Sequence, residues 1–377
     1  ERVAEVVPAL EDEDSRRSRR VPGDDRPSCP GREAEGRAAI PWRRGARGRR
    51  PSAGSHELLL RRYDDAVSRY VLEHLLAEGG MAEVFLARAT SGPWAGHRVV
   101  VKRVREHLAD SEELRDMFAR EAALAMQLEH PNIVRVLDVG ETEDGLPFLT
   151  MEWLDGLDLH AILGAVRARG ETIHPAYACA VASQIARGLH HAHVFRDPEG
   201  HLLGVVHRDV SPHNVFLTLD GAVKLLDFGI AKTNRAAATR TGIVRGKAAY
   251  MAPEQIAGLD VDPRADLFAL GVVLWEMLTG RRLWPFESET GIARAVRDES
   301  APPPSVHVPA AAGELDAVVL ALLAKFPAAR PRSAEIVADA LGRLAQRYGS
   351  RSPQAETREL VARAESLSIP ARLRRDG

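Results

Sequence analysis

Cysteine is nearly absent from this chain: its 377 residues include two, Cys29 and Cys179. No disulfide framework follows from such a pair, so a reducing, cytoplasmic setting is expected. Long apolar runs are also missing. None reaches the roughly 20 residues that a membrane-crossing helix needs, so no membrane span is expected. The N-terminal stretch is charged and Pro-rich without an apolar stretch of signal-peptide type, so no secretory signal is expected. The chain opens on Glu1 rather than Met, as a fragment of a longer product would. Its net charge is only −2, which leaves no global reason to expect nucleic acid or an anionic membrane as partner.

Lysine is scarce too. Among 51 basic residues only Lys102, Lys224, Lys232, Lys247 and Lys325 are lysines, and all five fall between 69 and 347. An ammonium and a guanidinium are not equivalent at a phosphate, so each lysine that remains is informative. What the chain does have is 45% hydrophobic and 28% charged residues, enough for an ample core.

Residues 1–55 mix acidic and basic clusters with Pro and Gly and show no hydrophobic period. A disordered tail over 1–66 is expected. Its arginines, Arg43, Arg44, Arg47, Arg49 and Arg50, lack the interleaved aromatics of a nucleic-acid surface. From Tyr70 the pattern changes. Stretches 70–76, 84–89, 98–104, 134–140 and 148–153 read as strands, and 114–128 as an amphipathic helix. Beyond them 176–194, 265–279, 315–324 and 333–348 read as helices. A small β-rich unit followed by a larger helical one is an α+β layout. Residues 348–377 read as a tail with one short helix over 356–365, and the sequence leaves open whether that helix packs on the larger unit.

Residues 207–229, HRDVSPHNVFLTLDGAVKLLDFG, concentrate the chemistry. Asp209, Asn214 and Asp227 stand at fixed offsets around two short apolar runs, the layout of a loop, a β-hairpin and a second loop. The stretch resembles the catalytic core of protein kinases, H-R-D-x-x-x-x-N followed by D-F-G. Upstream, Val99-Val100-Val101-Lys102 resembles the family's V-A-I-K strand, and Glu121 sits on the helix that carries its ion-pair partner. Ala77-Glu78-Gly79-Gly80-Met81-Ala82-Glu83-Val84 resembles the glycine-rich loop, with Ala77 and Ala82 where the family has its first and third glycines. Met151-Glu152-Trp153-Leu154 resembles the hinge. Tyr250-Met251-Ala252-Pro253-Glu254 resembles the A-P-E segment, with Arg330 as partner of Glu254, and Asp266 and Gly271 match the family's central helix. The resemblance runs over 69–347 and is nearest to bacterial serine/threonine kinases of eukaryotic (Hanks) type.

That resemblance implies a bilobal kinase-like fold, with an N-lobe at 69–151, a hinge at 152–158 and a C-lobe at 159–347. It implies ATP and Mg²⁺ as cofactors and protein Ser or Thr hydroxyls as acceptors. Ala77, Gly79, Gly80 and Val84 would cover the nucleotide, Lys102 would hold its α- and β-phosphates, and Met151, Glu152 and Leu154 would border adenine. Asp158 would reach the ribose. Asn214 and Asp227 would hold Mg²⁺, and Asp209 would orient and deprotonate the acceptor hydroxyl. Arg208 would meet a phosphate on the activation segment, with Thr239 and Thr241 as candidate sites and Thr233 less favourably placed.

Two positions depart from the pattern together. The family usually carries Lys two residues after the catalytic Asp and Thr in G-T-x-x-Y; this chain carries Ser211 and, in Gly246-Lys247-Ala248-Ala249-Tyr250, Lys247. Hydroxyl and ammonium have changed places, and Lys247 is expected to supply the cation that Ser211 lacks. A nucleotide-binding pseudokinase scaffold and a tyrosine kinase are the competing readings.

Overall fold

The computed structural model describes residues 69–79, 81–106, 111–197, 199–228, 247–286 and 288–368. Five antiparallel strands form the first layer: β1 (Tyr70–Glu78), β2 (Ala82–Ala89), β3 (Arg98–Val104), β4 (Val136–Glu141) and β5 (Pro147–Glu152), in the order β1-β2-β3-β5-β4. Alternation along the strands separates two apolar faces. Tyr70, Ala87, Val99, Val101 and Phe148 pack on one. Val104, Leu149 and Met151 pack on the other, against Phe118 and Ala122 of helix α1 (Glu112–Ala125). The side-chain period of two puts Lys102 on the same face as Val100 and Val104, toward α1. The seven-residue β2–β3 register is unbroken, from Ala82 opposite Val104 to Arg88 opposite Arg98.

A second small sheet, β6 (Gly156–Asp158), β7 (Val215–Thr218) and β8 (Val223–Leu225), opens the larger lobe. Its hairpin is stitched back to the first lobe: Leu225 N donates to Asn132 O and Val134 N to Leu225 O, each at 2.9 Å. The helices are α2 (Leu159–Ala168), α3 (Pro175–His193), α4 (Pro253–Ile256), α5 (Arg264–Thr279), α6 (Glu289–Asp298), α7 (Glu314–Leu322), α8 (Ala334–Arg347) and α9 (Pro353–Ser368). Every residue of α5 from Ala265 to Thr279 is buried. A helix apolar on all sides belongs at the centre of a large core, and α5 carries only two acidic side chains into it, Asp266 and Glu276. Its C-cap Gly280 adopts φ 66°, where an added Cβ would meet Glu171 O at 2.4 Å.

The α+β, two-lobed layout agrees with the expectation, and all five expected strands and five expected helical segments are present in substance. Four elements, β6, α2, α4 and α6, have no counterpart in the sequence reading. Strand β6 has three residues, too few for a visible period. Helix α4 has four residues, again too few, and α2 and α6 have ten each, fewer than three turns, with a glycine inside each. The approach to residue 207 is a polar turn: Arg196 bridges to Leu202, and Asp197 accepts from His201 N at 2.8 Å.

The tail expected over 348–377 differs most. Helix α9 is longer than the segment anticipated, and Leu360, Val361 and Ala364 enter the main core with α2 and α3. Its first turn passes so close to the β7–β8 turn that a Cβ on Gly221 would meet Gln354 O at 2.2 Å. The sequence masks this because the helix buries one narrow stripe and leaves its polar side exposed. The core of the larger lobe therefore extends beyond residue 347. Leu360→Ala removes three carbons' worth of packing at a 5%-exposed site, and a loss of about 2–5 kcal/mol is expected, measured as a lowered urea midpoint.

Candidate active site

The catalytic loop is held by its backbone. Asp266, 1% exposed at the start of α5, accepts from His207 N and Arg208 N at 2.8 Å each and bonds His193 Nε2 at 2.8 Å. Arg208 adopts φ 62° and Asp227 φ 46°, the two positive-φ residues other than glycine among those described. Such conformations cost of order 1–3 kcal/mol and persist where surroundings over-determine them. Arg208 is held on both sides, since its carbonyl also accepts from Gln255 Nε2 at 3.1 Å. Gln255 belongs to α4, which Glu254 anchors to the fully buried Arg330 through bonds of 2.6 and 2.8 Å.

His207 is buried and packs against Phe228, with ring centroids 4.5 Å apart and planes tilted by 40°. Its Nε2 donates to Leu226 O at 2.9 Å, and its Nδ1 accepts from Asp209 N at 3.3 Å. This neutral tautomer ties the loop at Asp209 to the strand leading to Asp227. Burial holds the imidazole below its ordinary value, against the pull of Asp266 and Asp209. Asn214 Nδ2 donates to Asp209 O at 2.8 Å, which leaves its carbonyl oxygen as the available ligand atom. Lys102 Nζ reaches Asp227 Oδ1 at 2.8 Å. Desolvation in the cleft pushes the Asp227 carboxyl up, but the Lys102 ammonium outweighs it and holds the group below the usual carboxylate range. Asp227 and Asn214 together offer hard oxygens, the donor type that Mg²⁺ takes.

The other predicted residues are placed as follows. Ala77 pairs with Val84 across the β1–β2 hairpin, and Gly79 N donates to Ala82 O at 2.9 Å; Gly80 lies outside the described residues. Arg105, just past β3, bonds Gly79 O at 3.1 Å and pairs with Glu78. Met151 is buried beneath the sheet and Leu154 is half-buried. Asp158 caps α2, accepting from Ala161 N at 2.7 Å. Glu121 lies on α1, and Lys247 opens a short turn, Lys247–Tyr250; the side chains of both are outside the described residues, as are Thr233, Thr239 and Thr241. Ser211 is buried, and its hydroxyl has no hydrogen-bond partner among the described residues.

Sequence reasoning missed two features. Glu152 Oε1 accepts from Lys224 Nζ at 2.7 Å and Arg135 N at 2.9 Å, tying the hinge to both lobes. The rarity of lysine was the available signal for Lys224. The second is a buried network around Glu276, which accepts from Arg167 Nη2 at 2.8 Å and Tyr250 OH at 2.9 Å. Arg282 Nη1 donates to the same phenol at 2.7 Å. No sequence signal joins these four residues.

Comparison with known proteins agrees with this geometry. The protein kinase domain family matches residues 70–341, and the chain belongs to that family. A Myxococcus xanthus relative, tyrosine-protein kinase MasK, is 44% identical over 273 residues, covering 72% of this chain and 42% of that protein. Serine/threonine-protein kinase pkn3 of the same species is 39% identical over 280 residues, covering 71% and 48%. The Mycobacterium tuberculosis PknI kinase domain superposes with a TM-score of 0.58 at 30% identity, covering 75% of this chain and 98% of that one. The chain thus spans about half the length of the curated relatives it matches.

Two outcomes are expected. Asp266→Asn turns a donor toward groups that already donate, and each lost charge-assisted bond is worth roughly 1.5–3 kcal/mol. Chemical unfolding should show a loss of at least that size. Second, burial holds His130 down at about 4 and pushes His160, His191 and His207 below 6.5. The unfolded chain then binds more protons below pH 6.5, so stability is full above that value and falls as pH drops toward the folded values. Glu276, pushed up by burial, opposes them, but one group faces four. The urea midpoint should fall between pH 7.5 and 5; an unchanged midpoint would contradict the assignment.

Proposed function

We propose that this chain transfers the γ-phosphoryl group of ATP to Ser or Thr hydroxyls of protein substrates and phosphorylates its own activation segment. The observation that carries the reading is the pair of bonds Lys102–Asp227 and Asn214–Asp209, each 2.8 Å long, which join the predicted phosphate, metal and acceptor residues in one cleft. Lys102 would bind the α- and β-phosphates, with Glu121 as its second partner. Ala77, Gly79, Gly80 and Val84 would cover the nucleotide. Met151, Glu152 and Leu154 would border adenine, and Asp158 would give up part of its capping role to meet the ribose. Asn214 and Asp227 would hold Mg²⁺, which neutralises charge on the β- and γ-phosphates. Asp209 would orient the acceptor hydroxyl and take its proton. Arg208 would receive phosphorylated Thr239 or Thr241. A cytoplasmic location fits the buried Cys179, whose thiol burial pushes up to about 12. Among the described residues no helix is long and apolar enough to cross a membrane.

Lys247 would replace the cation absent at Ser211. The orphaned Ser211 hydroxyl supports this, because a buried donor is normally paired and a group arriving with substrate would pair it. An ion pair at about 4 Å and an effective dielectric of about 20 is worth roughly 4 kcal/mol, or about 10³ in rate. A second acceptor class, tyrosine, is favoured by the 44% identity to a relative named as a tyrosine-protein kinase.

Incubation with [γ-³²P]ATP should label the chain and a general protein substrate, and Asp209→Asn should abolish both; equal labelling by the two would refute phosphoryl transfer and leave a nucleotide-binding scaffold. Phosphoamino-acid analysis should return phosphoserine and phosphothreonine, and phosphotyrosine alone would reverse the acceptor assignment. Lys247→Thr should lower kcat by two to three orders of magnitude, and Ser211→Lys added to it should restore part of the loss. Full kcat in Lys247→Thr alone would end the compensation idea.

A further inference from the structure

Four basic side chains from three elements gather beside the catalytic loop, and none of them belongs to the machinery assigned above. His213 directly precedes Asn214 and is exposed; its ring stacks on His160 of α2 with centroids 3.9 Å apart and planes at 22°. Arg167 lies two turns further along α2. Arg282 follows α5, is exposed, and bonds the Tyr250 phenol. Helix α2 carries both His160 and Arg167, and Arg167 is linked to Arg282 through Glu276 and Tyr250. After burial, the charges of His213, Arg282 and Arg167 hold the His160 imidazole below its ordinary value, against the opposite pull of Asp158.

The carboxylates on this border are already committed. Asp158 caps α2. Glu276 is 1% exposed and takes Arg167 and Tyr250. Two guanidiniums therefore stand against one buried carboxylate, and Arg282 makes no ion pair among the described residues. It spends one of five N–H donors on a neutral phenol.

The position of this group matters. Tyr250 ends the short turn that begins at Lys247, and the next helix is tied to Arg208 O through Gln255. His213 lies on the same loop as Asp209, and α2 packs against that part of the loop. These contacts place the group on the border of the loop that carries Asp209. We propose that Arg282, Arg167, His160 and His213 form a subsite that recognises an anionic side chain, carboxylate or phosphate, next to the acceptor residue of the substrate. The proposal rests on the phosphoryl-transfer reading and specifies its substrate class. A planar guanidinium suits either oxyanion, since its donors match two oxygens at once. A basic residue at the same place would face the Arg282 guanidinium, which has no ion-pair partner among the described residues, so selectivity includes rejection as well as attraction.

The test uses the full chain with [γ-³²P]ATP and peptide sets that differ only in one residue, placed one to three positions to either side of a single Ser. That residue is Ala, Glu, phosphoserine or Arg. At the matching position kcat/KM should be about tenfold or more higher for Glu or phosphoserine than for Ala, the scale of one charge-assisted bond, and lower for Arg. Glu above phosphoserine identifies a carboxylate ligand, and the reverse order identifies phosphate. Arg282→Glu should invert the preference toward the Arg peptide, whereas Arg282→Lys should retain it. Rates for all four peptides within twofold at every position, or an order unchanged by Arg282→Glu, would overturn the subsite. If no peptide is phosphorylated, transfer itself has failed. Fluorescence anisotropy with the same peptides carrying Ala in place of the acceptor Ser then decides the subsite alone: tighter binding of the anionic peptides supports it, and equal binding rejects it.

Discussion

A buried carboxylate at the head of the central helix organises the larger lobe. Asp266 receives two successive backbone N–H groups of the catalytic loop and the ring of His193, all at 2.8 Å. A charge so deeply buried is tolerable only when its lone pairs are met, and the donors that meet them are those that fix the loop. Arg208 is thereby kept in a left-handed conformation that its own side chain disfavours. The strain is offset by the satisfied carboxylate, and the result is a loop with little freedom to relax. Placement of Asp209 and Asn214 depends on that restraint.

The two lobes meet through a small number of polar links laid over apolar packing. Lys102 and Asp227 span the cleft, Glu152 joins Lys224 below it to Arg135 above it, and β8 pairs with the segment entering β4. Each link involves a residue that would be costly to bury unpaired. The same rule explains the base of the larger lobe, where Glu254–Arg330 and Glu276–Arg167 lie under the segment ending at Tyr250. The second of these pairs has a consequence for recognition. By consuming Glu276 internally it leaves Arg282 and the His160–His213 stack as the exposed character of the border beside the acceptor loop.

Much of this was legible in sequence. The strands β1 to β5 are legible as short runs rich in β-branched and apolar residues, such as Arg98–Val104, bounded by Gly-containing turns. Asp209, Asn214 and Asp227 are legible because the family motif sets residue types at short, fixed spacing, and Lys102 because it is one of five lysines and lies in an apolar strand. Helix α9 was underestimated because only Leu360, Val361, Ala364 and a few neighbours are buried on it, a stripe too narrow to separate from a solvated tail. The Glu276 network was not legible at all, since Arg167, Tyr250, Glu276 and Arg282 approach from separate segments with no shared period.

The sequence by itself determined the family, the order of elements and the side chains proposed to react, because these are encoded locally, in motifs and in periodicities of two and 3.6. Tertiary structure alone decided which of those side chains meet. Lys102 and Asp227 lie 125 residues apart yet bond directly, and the loop at Asp209 is shaped by a carboxylate 58 residues beyond Arg208. It also decided which charges are spent in the interior and which remain at the surface. Those choices follow from desolvation, which acts on position in three dimensions and leaves no trace in the order of residues.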